Sequence, residues 1–310
     1  MATKANYPIS EIGKGKVGFS KTRSIIEAAF YGNNVVKVET LKEAYNLAKN
    51  SPGTIVTDMP VYRGEEFGLD KDAKVLLFND GAVTGRYAAA RRIKGEPGVD
   101  DTKLDKVVMD AIYKTRFKKL YHATCFVGLD PEFMVKAHLL IPEGEENLMY
   151  NWMINFQYMS DEYVKMYRDS LPVGNGAEPD IYIFSDPQWA PTPSPDVDYS
   201  CLSDDLTCCY FDTNENCAAI LGMKYFGEHK KGTLTMAWAI LTETVTLHVT
   251  ADRRNILLKT ILSMLLLYSV FQAQVSQHLH MLSMVINILQ SRFFMMMHLL
   301  SIQIHVLQSH

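Results

Sequence analysis

Apolar and polar positions along this chain fall into short blocks whose spacing predicts both helices and strands. Residues 21–31 carry apolar positions at helical spacing and predict a helix, with Asn33-Asn34 as the turn behind it and residues 35–38 as a short strand. Thr40-x-x-Glu43 is a capping box, so it opens a second helix that runs to about residue 50 and closes at Ser51-Pro52-Gly53. Residues 54–57 and 74–78 are apolar, β-branched runs of the kind that form buried strands. A helix is expected over 102–119, strands over 133–141 and 180–184, and a proline-rich loop over 190–195. Residues 206–211 and 217–223 read as a strand pair joined across 212–216. Helices and strands mix without strict alternation, which predicts a mixed-sheet α/β domain and not a regular doubly wound one.

The pattern changes at Ile240. Before it, acids and bases are interleaved and glycine and proline punctuate the elements; after it there is no glycine, no proline and no acid beyond Asp252. Turns need such residues, so a globular domain rarely runs this far without them. The 310 residues, 47% hydrophobic and 21% charged, suit one large soluble domain or two ordinary ones, and a net charge of −4 gives no reason to expect nucleic acid or an anionic membrane as partner. Residues 1–12 do not resemble a secretory leader. Five cysteines (Cys125, Cys201, Cys208, Cys209 and Cys217) lack CxxC spacing and are odd in number. They imply reduced thiols and a cytoplasmic location, acting as small apolar residues; a zinc site from the last four is the competing reading.

Two segments concentrate chemistry. Tyr225-Phe226-Gly227-Glu228-His229-Lys230-Lys231-Gly232 follows a strongly apolar strand, where such charges are costly unless they face a ligand or each other. Lysines there suit phosphate or carboxylate, and an exposed turn is the plain alternative. Asn79-Asp80-Gly81-Ala82-Val83-Thr84-Gly85-Arg86 offers backbone amides to an anion and an arginine to a carboxylate, or is an ordinary turn. Gly13-x-Gly15-x-x-Gly18 matches a dinucleotide fingerprint in letters only, since no strand precedes it.

These segments resemble ATP-dependent phosphoenolpyruvate carboxykinase, and more closely an uncharacterised bacterial family related to it. The Tyr-x-Gly-Glu-x-Lys-Lys-Gly pattern at 225–232 is similar to that enzyme's active-site segment, and Thr84-Gly85-Arg86 to its Thr-Gly-Arg. Pro179-Asp180-Ile181-Tyr182-Ile183 and residues 125–131 fit the same order, so the likeness spans roughly 74–240. It implies a carboxykinase-type domain in which Lys230 contacts the transferred phosphoryl group, Lys231 helps bind a divalent metal (Mg or Mn), Tyr225 lines the substrate site and Arg86 holds a substrate carboxylate. Phe226, and Tyr-Ala-Ala-Ala-Arg-Arg after Arg86, depart from the enzyme's pattern.

Such an enzyme also needs a P-loop, Gly-x-x-x-x-Gly-Lys-[Ser/Thr], and no glycine follows Gly232. A reading frame displaced by one base supplies one. The codons of residues 268–284 permit Phe-Gly-Leu-Ser-Gly-Ser-Gly-Lys-Ser-Thr, a full P-loop. Those of 241–255 permit Asn-Arg-Asn-Gly-Tyr-Ala-Ser-Cys-His, and those of 294–299 permit His-Asp-Asp-Ala-Phe, an acidic pair of the kind that holds a nucleotide-bound metal. The expectation is a substrate-side α/β domain over 1–240 and an out-of-frame tail over 241–310 in place of the nucleotide-binding domain. The intact family would use ATP and a divalent metal on a small carboxylate substrate, and this chain would be inactive. The competing expectation is a non-enzymatic carboxylate- or partner-binding domain with a membrane-associating helical tail. His278, His280, His298 and His305 have no ligand spacing.

Overall fold

The computed structural model describes residues 21–78, 91–170, 180–192, 194–202 and 206–248, with side chains described to residue 242. Helix α1 (Lys21–Ala29) leads to strand β1 (Val35–Val38) and α2 (Leu41–Ala48). The capping box is present: Thr40 Oγ1 accepts the Glu43 amide at 3.2 Å and Glu43 Oε2 accepts the Thr40 amide at 3.1 Å. Then come β2 (Ile55–Pro60), β3 (Lys74–Leu77), β4 (Arg91–Ile93), α3 (Asp101–Thr115), β5 (Leu120–Asp130), β6 (Phe133–Pro142), α4 (Glu146–Ile154), β7 (Gln157–Tyr158) and α5 (Asp161–Asp169). The described chain closes with β8 (Ile181–Asp186), β9 (Cys208–Asp212), β10 (Cys217–Leu221) and α6 (Phe226–His248).

The fold is α/β with a mixed sheet. Among the described residues the main sheet has eight strands in the order β1-β5-β6-β8-β10-β9-β4, with β7 pairing on β5. The pairs β6–β8 and β8–β10 are parallel; β5–β6 and β10–β9 are antiparallel. Alternation along each strand splits the core in two. Ile181, Ile183, Cys209, Phe211, Ala218 and Ile220 meet α2, α4 and α6 on one face. Tyr182, Phe184, Cys208, Tyr210 and Ala219 meet α1 and α3 on the other. The adjacent thiols Cys208 and Cys209 thus serve opposite cores as small apolar side chains, and all five cysteines are free. Among the described residues no group of His, Cys, Asp or Glu could hold a metal ion, so the cysteine-zinc alternative finds no support.

One expectation needs correction. The runs at 54–57 and 74–78 do form strands, but among the described residues they pair only with each other, in a separate antiparallel sheet, and are not buried. Ile55 is 65% exposed and Leu77 55%. A four-residue β-branched run reads the same whether or not a second layer covers it. Helix α6 runs across Ile240, where the composition changes, to His248. No helix among the described residues is long and apolar enough to cross a membrane. Residues 13–18, 84–86 and 249–310 lie outside the described residues, and with them the glycine triplet, Arg86 and the out-of-frame segment beyond His248.

Candidate functional site

Strand register gathers the polar residues at one end of the sheet. The parallel trio β6, β8 and β10 ends at Pro142, Asp186 and Leu221, and the antiparallel pairing sets Leu120 opposite Pro142 and Cys208 opposite Leu221. Ligands of α/β sheets bind beyond such carboxyl ends. Here the buried carboxylates Asp186 and Glu145 stand beside Lys118 at 3.1 Å and Lys224 at 2.8 Å, and Gln188 Nε2 donates to Glu145 Oε1 at 2.9 Å.

The chain leaves β10 through Gly222, whose φ of 68° and 3.1 Å approach of an added Cβ to the Trp189 carbonyl require glycine. Tyr225 follows, half-buried, and α6 starts at Phe226. The polar cluster 225–232 is therefore neither an exposed turn nor a uniform ligand-facing loop; it is the entry to a helix. Successive helical residues point about 100° apart, so the cluster fans out. Glu228, 1% exposed, accepts from Arg91 Nη2 at 2.8 Å and Nε at 3.1 Å, while Arg91 Nη1 donates to Thr235 Oγ1 at 2.8 Å. His229 is fully buried. Its Nδ1 lies 3.1 Å from the Tyr225 carbonyl, an acceptor only, so Nδ1 carries the proton and Nε2 accepts from Ser185 Oγ at 2.8 Å. Lys230 Nζ donates to Asn155 Oδ1 at 2.9 Å, and Lys231 faces solvent.

The electrostatics follow from this layout. Burial holds the His229 imidazole down to about 4, against a smaller opposing effect of its hydrogen bond to the Tyr225 carbonyl. Burial also pulls the Lys230 ammonium below its ordinary value. Lys230 is half-buried with a neutral amide oxygen for a partner, whereas Lys118, Lys136 and Lys224 each hold a buried carboxylate. Close packing explains the motif's glycines: a Cβ at Gly227 would collide with the Tyr225 ring, and one at Gly232 would come 2.7 Å from Phe211.

Of the residues singled out in the sequence, Tyr225, Lys230 and Lys231 share this helix entry and Arg86 lies outside the described residues. Among the described residues no group of His, Cys, Asp and Glu that could hold a metal ion lies around Lys231. A hard cation wants several oxygens, yet Glu228 is committed to Arg91 and His229 to Ser185. Sequence reading assigned no role to Arg91, Ser185 or Asn155. Arg91 stood in the string that departs from the family pattern, and only its distant pairing with Glu228 gives it meaning.

A second polar cluster lies on the α1 face, toward the amino end of β8. His122 Nε2 and His138 Nδ1 are 2.9 Å apart, His138 Nε2 meets Asp180 Oδ2 at 3.1 Å, and Lys136 and Tyr167 complete that carboxylate at 2.7 and 2.8 Å. The cluster fastens α5 to β6 and to Asp180 ahead of β8, and leaves His122 Nδ1 buried with no hydrogen-bond partner. No family model matches the chain, and no curated protein matches it.

Proposed function

We propose that residues up to about 240 are the substrate side of an ATP- and metal-dependent phosphotransferase resembling phosphoenolpyruvate carboxykinase, and that the chain as given is inactive. In this reading the carboxykinase-type domain binds a small carboxylate- or phosphate-bearing molecule at the entry to α6. Lys230 and Lys231 supply positive charge, Tyr225 lines the site and Arg86 clamps a carboxylate. The nucleotide and metal would belong to the half whose reading frame is displaced.

The observation that carries the reading is Lys230. A half-buried ammonium beside a neutral amide keeps its charge available for an anion, while its neighbours along the helix, Glu228 and His229, are spent on fixing the helix entry to β4 and β8. Phosphoryl-transfer sites work largely by such fixed positive charge.

The test is to restore the frame by one base near the codon for Ile240 and assay metal-dependent ATP turnover with small carboxylate acceptors. Turnover in the restored protein that falls with Lys231→Ala, and none in the chain as given, is the expected result. Stop codons in the displaced frame, or turnover by the given chain that depends on Lys231, would sink the proposal.

A further inference from the structure

The outward face of α3 carries a row of side chains that no element described above uses. The helix buries Leu104, Val107, Val108 and Ala111 and turns Lys106, Met109, Tyr113 and Arg116 to solvent, with Phe117 just past its end. Met109, Tyr113 and Phe117 are 47%, 59% and 85% exposed and recur at every fourth position, so they form one stripe. Arg116 braces them: its guanidinium carbon sits 3.6 Å from the Tyr113 ring centre and 4.4 Å from that of Phe117, and Nη1 donates to the Tyr113 carbonyl at 2.6 Å. The two rings are held outward at the surface.

Charge along the stripe has one sign. Asp110, the acid nearest it, is turned aside to Lys114, Ser194 and Tyr199. Lys118 and Lys119 are tied to Asp186 and Glu143. Lys106 and Arg116 meet no carboxylate among the described residues.

We infer that this face docks an acidic amphipathic helix of another protein, its apolar side chains on Met109, Tyr113 and Phe117 and its carboxylates on Lys106 and Arg116. Met, Tyr, Phe and Arg are the residues enriched in interface cores, where charged residues in general are depleted. A second copy of this chain does not fit: antiparallel pairing sets Lys106 against Arg116 and parallel pairing sets each cation against itself. Nor does the chain's remaining sequence supply the acids. Outside the described residues the acids are Glu11, Asp80, Glu178, Asp204, Asp205 and Asp252, no two of them three or four positions apart as one face of an acidic helix needs. Lipid docking draws on clusters of about four or more available Lys and Arg, against Lys106 and Arg116 here. The inference is independent of the phosphotransferase reading.

The experiment is a selection on the full chain, using a displayed library of helical peptides with a fixed leucine stripe and flanking positions varied among Glu, Gln and Lys. Enrichment of Glu is expected, with affinity of the selected peptide falling about tenfold or more in Phe117→Ala and in Arg116→Glu. Both positions are exposed, so folding is preserved, and circular dichroism checks it. In the Arg116→Glu chain the same selection turns to Lys. No enrichment, enrichment of Lys on the native chain, or binding that ignores both substitutions overturns the inference. So does Phe117-dependent co-sedimentation with phosphatidylserine vesicles, which would make the occupant a lipid surface.

Discussion

Arg91→Met tests whether the buried ion pair organises the entry to α6. Glu228 is 1% exposed and takes two hydrogen bonds from Arg91. The guanidinium also donates to Thr235 and lies 4.6 Å from the centre of the Phe211 ring. Methionine keeps much of the aliphatic volume and removes the charge, leaving a carboxylate buried without its cation. Removing one partner of such a pair costs about 3–5 kcal/mol, a large part of the roughly 5–15 kcal/mol that holds a domain together. Replacing both partners by apolar groups of similar size is often neutral or better. Arg91→Met alone should therefore be severely destabilised, and Arg91→Met with Glu228→Met should regain most of the loss. Urea denaturation of the four proteins of the cycle, followed by tryptophan fluorescence, reads this from the midpoints at constant slope. If the double variant is as unstable as the single one, or the single variant loses less than about 1 kcal/mol, the pair does not hold this junction in the way described.

Further outcomes follow from other parts of the fold. His229 and His122 are held down to about 4 and about 3, each chiefly by burial, with the charges of His138, Lys37 and Lys136 adding to it at His122. Unfolded imidazoles take up protons below about 6.5 while these do not, so stability is full above that pH and falls with acid, by up to about 1.4 kcal/mol per pH unit per group; a urea midpoint unchanged between pH 7 and 5 would contradict this. Gly232→Ala would ordinarily favour a helix by about 1 kcal/mol, but the Phe211 ring at 2.7 Å should make it destabilising by about 1–3 kcal/mol, seen as a lower Tm. Burial raises all five thiols, but Cys125, Cys208, Cys209 and Cys217 are buried and Cys201 is only partly covered, so access should let a chromogenic disulfide label Cys201 in the native chain and lose that signal in Cys201→Ser.

Local signals in the sequence carried much of the fold. The Thr40–Glu43 capping box, the helix expected over 102–119 and the strand pair expected over 206–211 and 217–223 all rest on interactions a few residues apart, and each is present, the helix ending earlier, at Thr115, and the strands spanning Cys208–Asp212 and Cys217–Leu221. Strand β5 and helix α4 were not anticipated. The run Leu120–Asp130 mixes His122 and Thr124 with apolar residues, because one side of it is a polar cluster; α4 is buried nearly all round and so lacks a polar stripe. The exposure of β2 and β3 was invisible for a different reason, since it depends on which strands they pair with. At the site, sequence could name Tyr225, Lys230 and Lys231 as a polar group. That three consecutive side chains would reach β4, β8 and the end of α4 is a property of the helix in its fold, and Arg91 and Ser185 became relevant only through it.

The strand order also sets a schedule for folding. Among the described residues strand β4 enters the main sheet solely through β9, and β9 through β10, so Arg91–Ile93 has no described strand to pair with until Cys208–Leu221 has been made. The middle of the sheet, β8 and β10, is likewise made after β1, β5 and β6, which wait with an open edge at β6. Such distant closures are slow, and an unpaired strand edge invites wrong partners. A nascent chain stalled anywhere between β6 and β10 would thus present its most adhesive surface, which makes the interval between Pro142 and Leu221 the stretch of synthesis over which a holding chaperone matters most.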